Sequence, residues 1–517
     1  MITERLPLPI DMDRFRLRTF VESLGPDMLD RRSEPTTLAA VAGILEGNPR
    51  AVLFDNLGPE GASLAGNVLG SRERMARAFG VSAANLLPEV LKRLRKPPHL
   101  VETRSDQAPV HEVILTGADA DVTALPVHLQ HGRDGGPYIS AAMDFCVDPA
   151  TGWTNVGLRR LMLHGKHQTG IDLVAVSDLR TIFRAALERG ERLPLSVVVG
   201  GHPIDYFAAT MRVPIDELGL IASLRDAPLP VVKSVTNGIM VPADAEYVIE
   251  GYLGEEGYTR SEGPYGEFLG YYGGVKTNPT FYVTAITHRR DALFQTLSIS
   301  GKTMSRTDTA QLTTLRTEVL VWRALEVAIR EPIAVYASPA TGGVYNVRVA
   351  IRQRNAGEAR NAIAAVHSCM ANVKNVFVVD PDIDVFSDEQ MEWALATRFR
   401  PDADVHVDRG FRVSPLDPAL EPGSNVASKA GFDLTLPFGT ERSIELSLPD
   451  PPTFAGKRIA SVRDALADGP KYFEELMAAI ASTDGRDVVR ILEELREEGV
   501  VAREAGEGRY SLKKAGA

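Results

Sequence analysis

The glutamates Glu262 and Glu267 lie in the stretch RSEGPYGEFLGYYGG, residues 260–274, and could carry acid–base chemistry. Proline fixes φ and glycine admits conformations that other residues resist, so the stretch is predicted to be a constrained loop, neither a helix nor a plain strand. Carboxylates held close together disfavour double ionisation, and three nearby tyrosine rings would add desolvation in the same direction. One carboxyl could then stay protonated and act as a general acid. Composition alone also allows a solvated surface loop.

A second candidate lies in TNVGLRR, residues 154–160, which offers Asn155, Arg159 and Arg160. Alternation along a strand would send the two arginines to opposite faces, so one guanidinium is expected to point inward. A buried guanidinium needs an anion. That anion is either a structural carboxylate or a carboxylate or phosphate group of a ligand, which suits the guanidinium fork. The sequence leaves both alternatives open.

Other motifs fail their tests. The stretch DPDID at 380–384 resembles the start of a calcium loop, but Val385 replaces the required glycine and Met391 the required glutamate. It is therefore predicted to be a strand-to-turn segment with solvated aspartates. The chain has no HExxH, GxGxxG, P-loop or GxSxG pattern. An ordinary dinucleotide or acyl-transfer enzyme is thus disfavoured.

The composition is that of an ordinary globular protein, with 44% hydrophobic and 24% charged residues in a chain of 517. A net charge of −11 and the lack of a basic block argue against nucleic acid as a partner. The two cysteines fit a reducing compartment. No signal-peptide pattern or membrane-length apolar run is present. We therefore expect a cytoplasmic protein that does not interact with membranes.

The order of helix and strand signals predicts a mixed α/β (α+β) fold. Glycine and proline punctuate a strand-rich middle part, and alternating strands and helices follow a long helix. The predicted segments are an N-terminal α/β segment at 1–105, a strand-rich domain at 106–310, a linking helix at 311–330, an α/β domain at 331–446 and a tail at 456–517.

Local signals fix several individual elements. A buried strand is predicted at 51–57, and a serine-capped helix ended by glycine at 71–80. Another helix is predicted at 177–190, with either Ser177 or Asp178 as its N-cap.

The tail shows three helical patterns followed by two strand patterns, the order of a winged helix. The proline-rich stretch at 447–457 is the predicted linker. The third helical pattern, GRDVVRILEELREEG, carries more acidic than basic residues. Phosphate contacts need net positive charge, so this helix favours protein or oligomer contact over DNA binding.

Eight segments, in order along the chain, together resemble the UbiD-type decarboxylases, which use prenylated FMN. The similarity spans about residues 10–440. It implies a split β-barrel that binds the flavin, followed by an α/β domain that mediates oligomerisation. The segments are GNVLGSRERMARAFGV, DGGPYIS, DPATGWTNVGLRR, VPADAEYVIEG, EGPYGEFLGYYGG, AITHR, VDPDIDVFSDEQMEWALATR and KAGFDLTLP.

The resemblance also implies a reaction. It is the reversible non-oxidative decarboxylation of an aromatic, heteroaromatic or α,β-unsaturated carboxylic acid through a prenylated-FMN cycloadduct. Arg160 would hold the substrate carboxylate and pair with Glu262, and Glu267 would be the proton donor. A catalytically degenerate relative that acts as a binding or regulatory protein through the winged-helix tail is the alternative.

The family further implies a divalent metal beside the flavin phosphate, Mn²⁺ or Mg²⁺, with K⁺ possible nearby. Asn155 and Glu217 match two of its metal ligands. The family's third ligand, a histidine, has no match here, and Asp178 is the nearest candidate, either as a ligand or only as a helix cap. The flavin-binding residues implied by the resemblance are Asn155, Leu158, Arg159, Arg160, Ser177, Asp178 and Glu217.

The resemblance implies partners as well. A flavin prenyltransferase would supply the cofactor, a small carboxylic acid would be the substrate, and the chain would form a homo-oligomer, either a dimer or a hexamer.

Overall fold

The structure is a computed structural model that describes residues 10–421, 423–440, 448–449 and 458–513. It divides into two compact units, Met1–Phe438 and Gly439–Ala517. Each unit has its own hydrophobic core. The predicted linker at 447–457 lies outside the described residues except for 448–449. The domain boundaries inferred from the sequence stay predictions.

The N-terminal segment packs short helices on a small sheet, whose strand order is β1-β2-β3-β16. The predicted strand at 51–57 is confirmed as β2, which is buried along most of its length. The predicted helix at 71–80 is confirmed as α3, where the Ser71 side chain accepts a hydrogen bond from the backbone of Arg74. The elements are α1 (Leu17–Glu22), β1 (Leu29–Arg32), α2 (Val41–Leu45), β2 (Ala51–Leu57), β3 (Ala62–Gly66), α3 (Arg72–Ala78), α4 (Leu86–Arg93) and β4 (Leu100–Glu102).

The middle domain is a closed six-stranded barrel, which confirms the predicted split barrel. Its strand order is β12-β9-β6-β7-β8-β15, and pairing of β12 with β15 closes it. The elements are β5 (Val113–Thr116), β6 (Tyr138–Val147), β7 (Thr154–Gly165), β8 (Gln168–Ile171), α5 (Asp178–Glu188), β9 (Leu193–Val199), α6 (Pro203–Thr210), α7 (Glu217–Arg225), β10 (Leu229–Lys233), β11 (Met240–Pro242), β12 (Tyr247–Glu262), β13 (Tyr265–Gly266), β14 (Tyr272–Gly273), β15 (Lys276–His288) and β16 (Phe294–Gln295).

A long helix leads from the barrel into a second α/β layer. The sheet of this layer has the order β17-β18-β19-β21-β20. The elements are α8 (Asp308–Ala328), β17 (Pro332–Ala337), β18 (Asn346–Ile351), α9 (Glu358–Ser368), β19 (Asn375–Val379), α10 (Asp388–Arg398), β20 (Val405–Arg412) and β21 (Val426–Asp433). The mixed α/β fold class is thereby confirmed.

The segment DPDID is a turn after β19, as expected, but its aspartates are not simply solvated. Arg398 of α10 lies 3.3 Å from Asp380 and also pairs with Asp382. The guanidinium of Arg398 is buried, so these carboxylates supply the anions that it needs. The sequence prediction missed this pairing because the partner lies on the next helix.

The second unit has the element order expected of a winged helix. Its core is small and apolar and joins the three helices to the hairpin. The elements are α11 (Val462–Ala467), α12 (Phe473–Ala479), α13 (Gly485–Glu497), β22 (Val501–Arg503) and β23 (Tyr510–Leu512). Across the described residues, none of the helices combines the length and the apolarity that crossing a bilayer requires.

Candidate active site

Strand β7 of the barrel places its two arginines on opposite faces, as alternation predicts. Arg160 faces the glutamates of the 260–274 stretch. Arg159 instead lies 3.3 Å from Asp144 on the neighbouring strand β6. Both guanidiniums therefore have carboxylates of the chain within ion-pair distance, and the choice between a structural and a ligand-binding role stays open at this point.

Glu262 is the last residue of β12, so the prediction that it lies in a loop is wrong. The strand continues to this point because β12 pairs with β15, with Glu262 opposite Lys276. The irregular segment begins at the next residue, Gly263, whose φ of +95° suits glycine. Only 1% of Glu262 is exposed, and the side-chain amide of Asn278 donates a hydrogen bond to it over 3.2 Å.

Glu267 sits in a tight hairpin between β13 and β14. Its backbone N–H donates to the carbonyl of Tyr271 over 2.8 Å, and its carbonyl accepts from Gly270. A Cβ atom on Gly273 would lie 2.6 Å from the Glu267 carboxylate, so a glycine is needed there to leave room. The hairpin thus holds a carboxylate that is only 6% exposed.

Arg160 joins the glutamates into one cluster. Its Nε and Nη2 donate to the two oxygens of Glu262 over 2.9 and 3.3 Å, and its Nη1 donates to both oxygens of Glu267 over 3.3 Å. Asp172 approaches the same Nη1 within 3.0 Å. Lys276 lies 3.4 Å from Glu267. The cluster therefore holds three carboxylates and two cations.

The carboxylates of the cluster stabilise the charged form of Arg160. Burial by itself would lower the pKa of this guanidinium, but the neighbouring carboxylates outweigh burial and raise its pKa above the ordinary value. Sequence reasoning found Arg160, Glu262 and Glu267 but missed Asp172 and Lys276. No spacing signal marks those two, because Asp172 directly follows β8 and Lys276 begins β15, whereas Arg160 lies on β7.

Aromatic packing fixes one side of the cluster. The Arg160 guanidinium lies 4.3 Å from the ring centre of Tyr265, which in turn packs on Tyr138. Burial raises the pKa of the Tyr138 hydroxyl, and the charge of Glu262 adds to this effect. The expectation of three desolvating tyrosines holds only for Tyr265. Tyr271 and Tyr272 are 60% and 44% exposed.

A cavity of about 780 Å³ opens onto Glu267. It has the size of a small-molecule site. Its polar lining includes Asp172, Lys276 and the arginines Arg212 and Arg412. We call it the substrate cavity.

A second, smaller cavity of about 190 Å³ lies on the Arg159 side of β7. We call it the phosphate cavity, because the resemblance places the flavin phosphate beside its residues Asn155 and Glu217. It brings together every residue expected to bind the flavin except Arg160, and it adds Arg212 and Arg316, which the sequence analysis missed. The expected residues that line it are Asn155, Leu158, Arg159, Ser177, Asp178 and Glu217.

Asn155 and Glu217 are direct partners. One oxygen of Glu217 accepts hydrogen bonds of 2.7 Å from the Asn155 side chain and from the Val156 backbone. Burial raises the pKa of the Glu217 carboxyl to about 7. The side-chain oxygen of Asn155 is buried without a hydrogen-bond partner within the described residues.

The N-terminus of α5 resolves the capping question. Ser177 is the N-cap, since its hydroxyl accepts from the backbone of Arg180 over 3.3 Å. The same hydroxyl accepts a 3.3 Å hydrogen bond from Arg159. Asp178 is the first helical residue, so the alternative that it caps the helix is wrong. Its exposed carboxylate lines the phosphate cavity.

The donor set of the phosphate cavity does not fit a divalent cation well. Among the described residues, no group of three or more His, Cys, Asp or Glu side chains could hold a metal. The cavity offers two carboxylates and one amide, but it also presents three arginines. Such a set fits an anion such as the phosphate of a flavin.

Arg316 carries a signal that could have been found in the sequence. It follows Thr309, Leu312 and Thr313 at helical spacing, and these three side chains line the same cavity. The spacing therefore places Arg316 on the same face of the helix as these three residues.

Comparison with known proteins adds evidence along most of the chain. Residues 27–94, 101–303 and 310–434 match the N-terminal, Rift-related and C-terminal domains of 3-octaprenyl-4-hydroxybenzoate carboxy-lyase, the UbiD domains.

Similar proteins include decarboxylases from distant organisms. The anhydromevalonate phosphate decarboxylase of Methanothermobacter thermautotrophicus is 28% identical, over 83% of this chain and 99% of the relative. The phenolic acid decarboxylase of Bacillus subtilis is 31% identical, over 80% of this chain and 88% of the relative. Among solved structures, the UbiD-class enzyme HmfF from Pelotomaculum thermopropionicum, in complex with FMN, has a TM-score of 0.79 and 30% identity, covering 84% of this chain and 97% of that one. An evolved dimeric form of HmfF, in complex with prenylated FMN, has a TM-score of 0.75 at 30% identity, with the same coverage.

Proposed function

The chain belongs to the UbiD family of carboxy-lyases, and we propose that it decarboxylates an aromatic, heteroaromatic or α,β-unsaturated acid reversibly and without net oxidation, with prenylated FMN as cofactor. One observation carries the proposal. Arg160 joins Glu262 and Glu267 in a buried cluster, and Glu267 of this cluster lines the substrate cavity. Both glutamates lie more than 100 positions from Arg160 in the sequence, so only the folded chain brings the three residues together.

The two cavities support the cofactor. Arg159, Arg212 and Arg316 line the phosphate cavity, and Arg212 also lines the substrate cavity, so a ligand could extend from one to the other. The related HmfF structures contain FMN and prenylated FMN. When bound, the prenylated flavin supplies the cycloaddition chemistry that activates the substrate's double bond for loss of carbon dioxide.

Arg160 is the binding group for the substrate carboxylate. Its Nη1 edge is shared between Glu267 and Asp172, whereas Nε and Nη2 are held by Glu262. A carboxylate entering from the substrate cavity would compete for the Nη1 edge. The Glu262 and Tyr265 contacts keep the guanidinium in place while this happens.

The charge balance supports the proposal that Glu267 is the proton donor. Two cations and three carboxylates leave the ionised cluster with one net negative charge. A substrate carboxylate would add another negative charge in a poorly solvated place, which favours a protonated neighbour. Glu267 lines the cavity and can take the proton, whereas Glu262 is enclosed. Glu267 then delivers that proton to the carbon that has lost carbon dioxide.

The same arrangement works in reverse. Glu267 as a carboxylate removes the proton from the product, and carbon dioxide takes its place, so high carbon dioxide drives carboxylation. Each residue keeps its position in both directions, and only the proton on Glu267 changes.

Two assembly partners complete the proposal. A flavin prenyltransferase supplies the cofactor, and the chain forms a homo-oligomer, a dimer or a hexamer, through the second α/β layer. The edge strands of its sheet support this, since Ile333 on β17 and Val407 on β20 are exposed. The evolved HmfF structure is described as dimeric.

The experiment is a substrate screen. The full-length protein would be produced together with a flavin prenyltransferase, and a panel of aromatic, heteroaromatic and α,β-unsaturated acids would be assayed for carbon dioxide release. We expect flavin absorbance in the purified protein and turnover of at least one class. Flavin-loaded protein that releases no carbon dioxide from the panel and exchanges no solvent deuterium into the corresponding products would contradict the proposal.

A further inference from the structure

Arg316 of α8 has no ion-pair partner among the residues that the structure describes. Its side chain lines the phosphate cavity, and its Nε is buried without a hydrogen-bond partner within the described residues. Burial lowers the pKa of this guanidinium to about 10, and the nearby Arg212 adds to that effect. The side chain as a whole is partly buried, and a guanidinium in such a place favours an anion, which no described carboxylate supplies within ion-pair distance.

Arg212 is a second arginine of the cavity lining, and it is exposed to solvent. It lies in the loop between α6 and α7, and within the described part of the chain no carboxylate comes within ion-pair distance of its guanidinium. Its pKa is lowered by burial and by the charges of Arg159 and Arg412, with Asp178 and Glu217 opposing. The cavity therefore holds two guanidiniums that repel each other.

The sum of charges favours an added anion. Three arginines and two carboxylates line the cavity, so its ionised side chains total one positive charge. A divalent cation would raise that total to three. A phosphate monoester, with close to two negative charges at neutral pH, would bring it to about −1, which is closer to neutrality than three, and would satisfy the guanidinium donors.

We propose that Arg316 and Arg212 bind the phosphate of the flavin directly, in place of a divalent metal ion. The inference rests on the proposed function, because it takes the flavin as the ligand. It assigns Asn155 and Glu217 to positioning the cavity wall: Glu217 fixes Asn155 and the Val156 backbone, and Asn155 keeps one free oxygen.

The N-terminus of α5 supports the same ligand. The helix runs from Asp178 to Glu188, and its first residue lines the cavity. Unsatisfied backbone N–H groups and the helix dipole at an N-terminus favour a phosphate. Ser177 ties this helix end to Arg159.

The test uses FMN and riboflavin as probes, since they differ only in the phosphate. Full-length protein would be produced without prenyltransferase and freed of flavin, and the Kd of each probe measured by quenching of flavin fluorescence, with EDTA or with MnCl₂. Arg316→Met, Arg316→Lys and Arg212→Met would be compared with wild type. Arg323→Met is the matched control, because Arg323 lies on α8, is exposed and does not line the cavity.

We expect wild-type protein to prefer FMN over riboflavin, with an FMN Kd that EDTA changes by less than about threefold. Arg316→Met should weaken FMN by about 10- to 100-fold, the loss expected for a charged hydrogen-bonding partner, and riboflavin by less than about threefold. Arg316→Lys should recover part of the loss, and Arg323→Met should match wild type.

Two outcomes of the EDTA and variant measurements overturn the inference. One is an FMN Kd that rises more than about tenfold in EDTA and recovers with Mn²⁺. The other is an FMN-to-riboflavin ratio that neither Arg316→Met nor Arg212→Met changes. If Arg316→Met does not fold, Arg316→Lys, Arg212→Met and the EDTA comparison decide the matter. Wild-type protein that binds riboflavin as well as FMN refutes only the arginine site, whereas protein that binds neither flavin refutes the proposed function.

Discussion

Glu267→Gln isolates the proposed proton donor. Glutamine has the shape of glutamate but cannot release a proton at neutral pH. Its side-chain oxygen can still accept from Arg160, which donates to both Glu267 oxygens over 3.3 Å. The variant therefore removes acid chemistry while leaving the Arg160–Glu262 pair, held over 2.9 Å, in place.

The structure sets the expected magnitudes. General acid–base catalysis contributes about 10²- to 10⁴-fold, so decarboxylation should fall by about that factor, or about 3 to 5 kcal/mol of barrier. The cluster loses one of three carboxylates against two cations, which takes its charge from −1 to zero. Stability should therefore change by less than about 1 kcal/mol. Flavin affinity should persist, because Glu267 does not line the phosphate cavity.

The assay follows carbon dioxide release and the exchange of solvent deuterium into the product at the vacated carbon. Both should be lost together in Glu267→Gln, since both need the same proton. Asp172→Asn is the matched control: Asp172 also contacts Arg160, over 3.0 Å, and lines the same cavity, but we assign it no proton. Its rate should fall by less than about tenfold, which corresponds to an increase of less than about 1.4 kcal/mol in the activation barrier. Turnover of Glu267→Gln within tenfold of wild type, or an Asp172→Asn variant that is equally inactive, would refute the reasoning.

Three further predictions concern other parts of the chain. Arg160→Lys keeps the charge but loses the paired hydrogen bonds to Glu262, so carbon dioxide release should fall by at least about 100-fold while circular dichroism stays native; a more severe defect in Arg159→Lys than in Arg160→Lys would contradict this. Burial raises the pKa of Asp308 to about 6, so the native protein holds this proton more tightly than the unfolded chain, and stability should fall by about 3 kcal/mol as pH rises from about 4 to 6. Denaturant titrations at both pH values should show that Asp308→Asn lacks this loss. An equal fall in the free energy of unfolding in wild type and Asp308→Asn would contradict the prediction. A chain ending at Pro451 should still bind flavin but change its oligomeric state or partner binding, since Gly439–Ala517 forms a separate unit, and sub-micromolar binding of residues 458–513 to duplex DNA at physiological salt would count against a protein-contact role.

Local rules read several elements correctly from the sequence. Alternation along β7 separates Arg159 from Arg160, and the Ser71 cap starts α3 where the sequence predicts. At α5 the sequence left two N-cap candidates open, and the structure selects Ser177. Such features depend on a few neighbouring residues, whose sterics and hydrogen bonds are encoded in the chain itself.

The resemblance to a known family predicted a long-range contact that local rules could not. It joined Arg160 to Glu262 across 102 residues, and the structure shows the two in contact. It also implies a metal site, which stays a prediction: among the described residues no group of three or more His, Cys, Asp or Glu side chains could hold a metal.

Only the tertiary structure decided how the rest of the site is composed. Barrel closure pairs β12 with β15, which extends β12 to Glu262 and sets Lys276 opposite it. The fold also brings Arg212 and Arg316 from separate segments to one cavity. Such contacts depend on strand register and helix packing over the whole domain, and no short sequence window contains them. The sequence by itself therefore determined the elements and, through the family resemblance, the set of Arg160, Glu262 and Glu267. The charged groups around that set and in the phosphate cavity follow from the closure of the barrel and from the packing of α8.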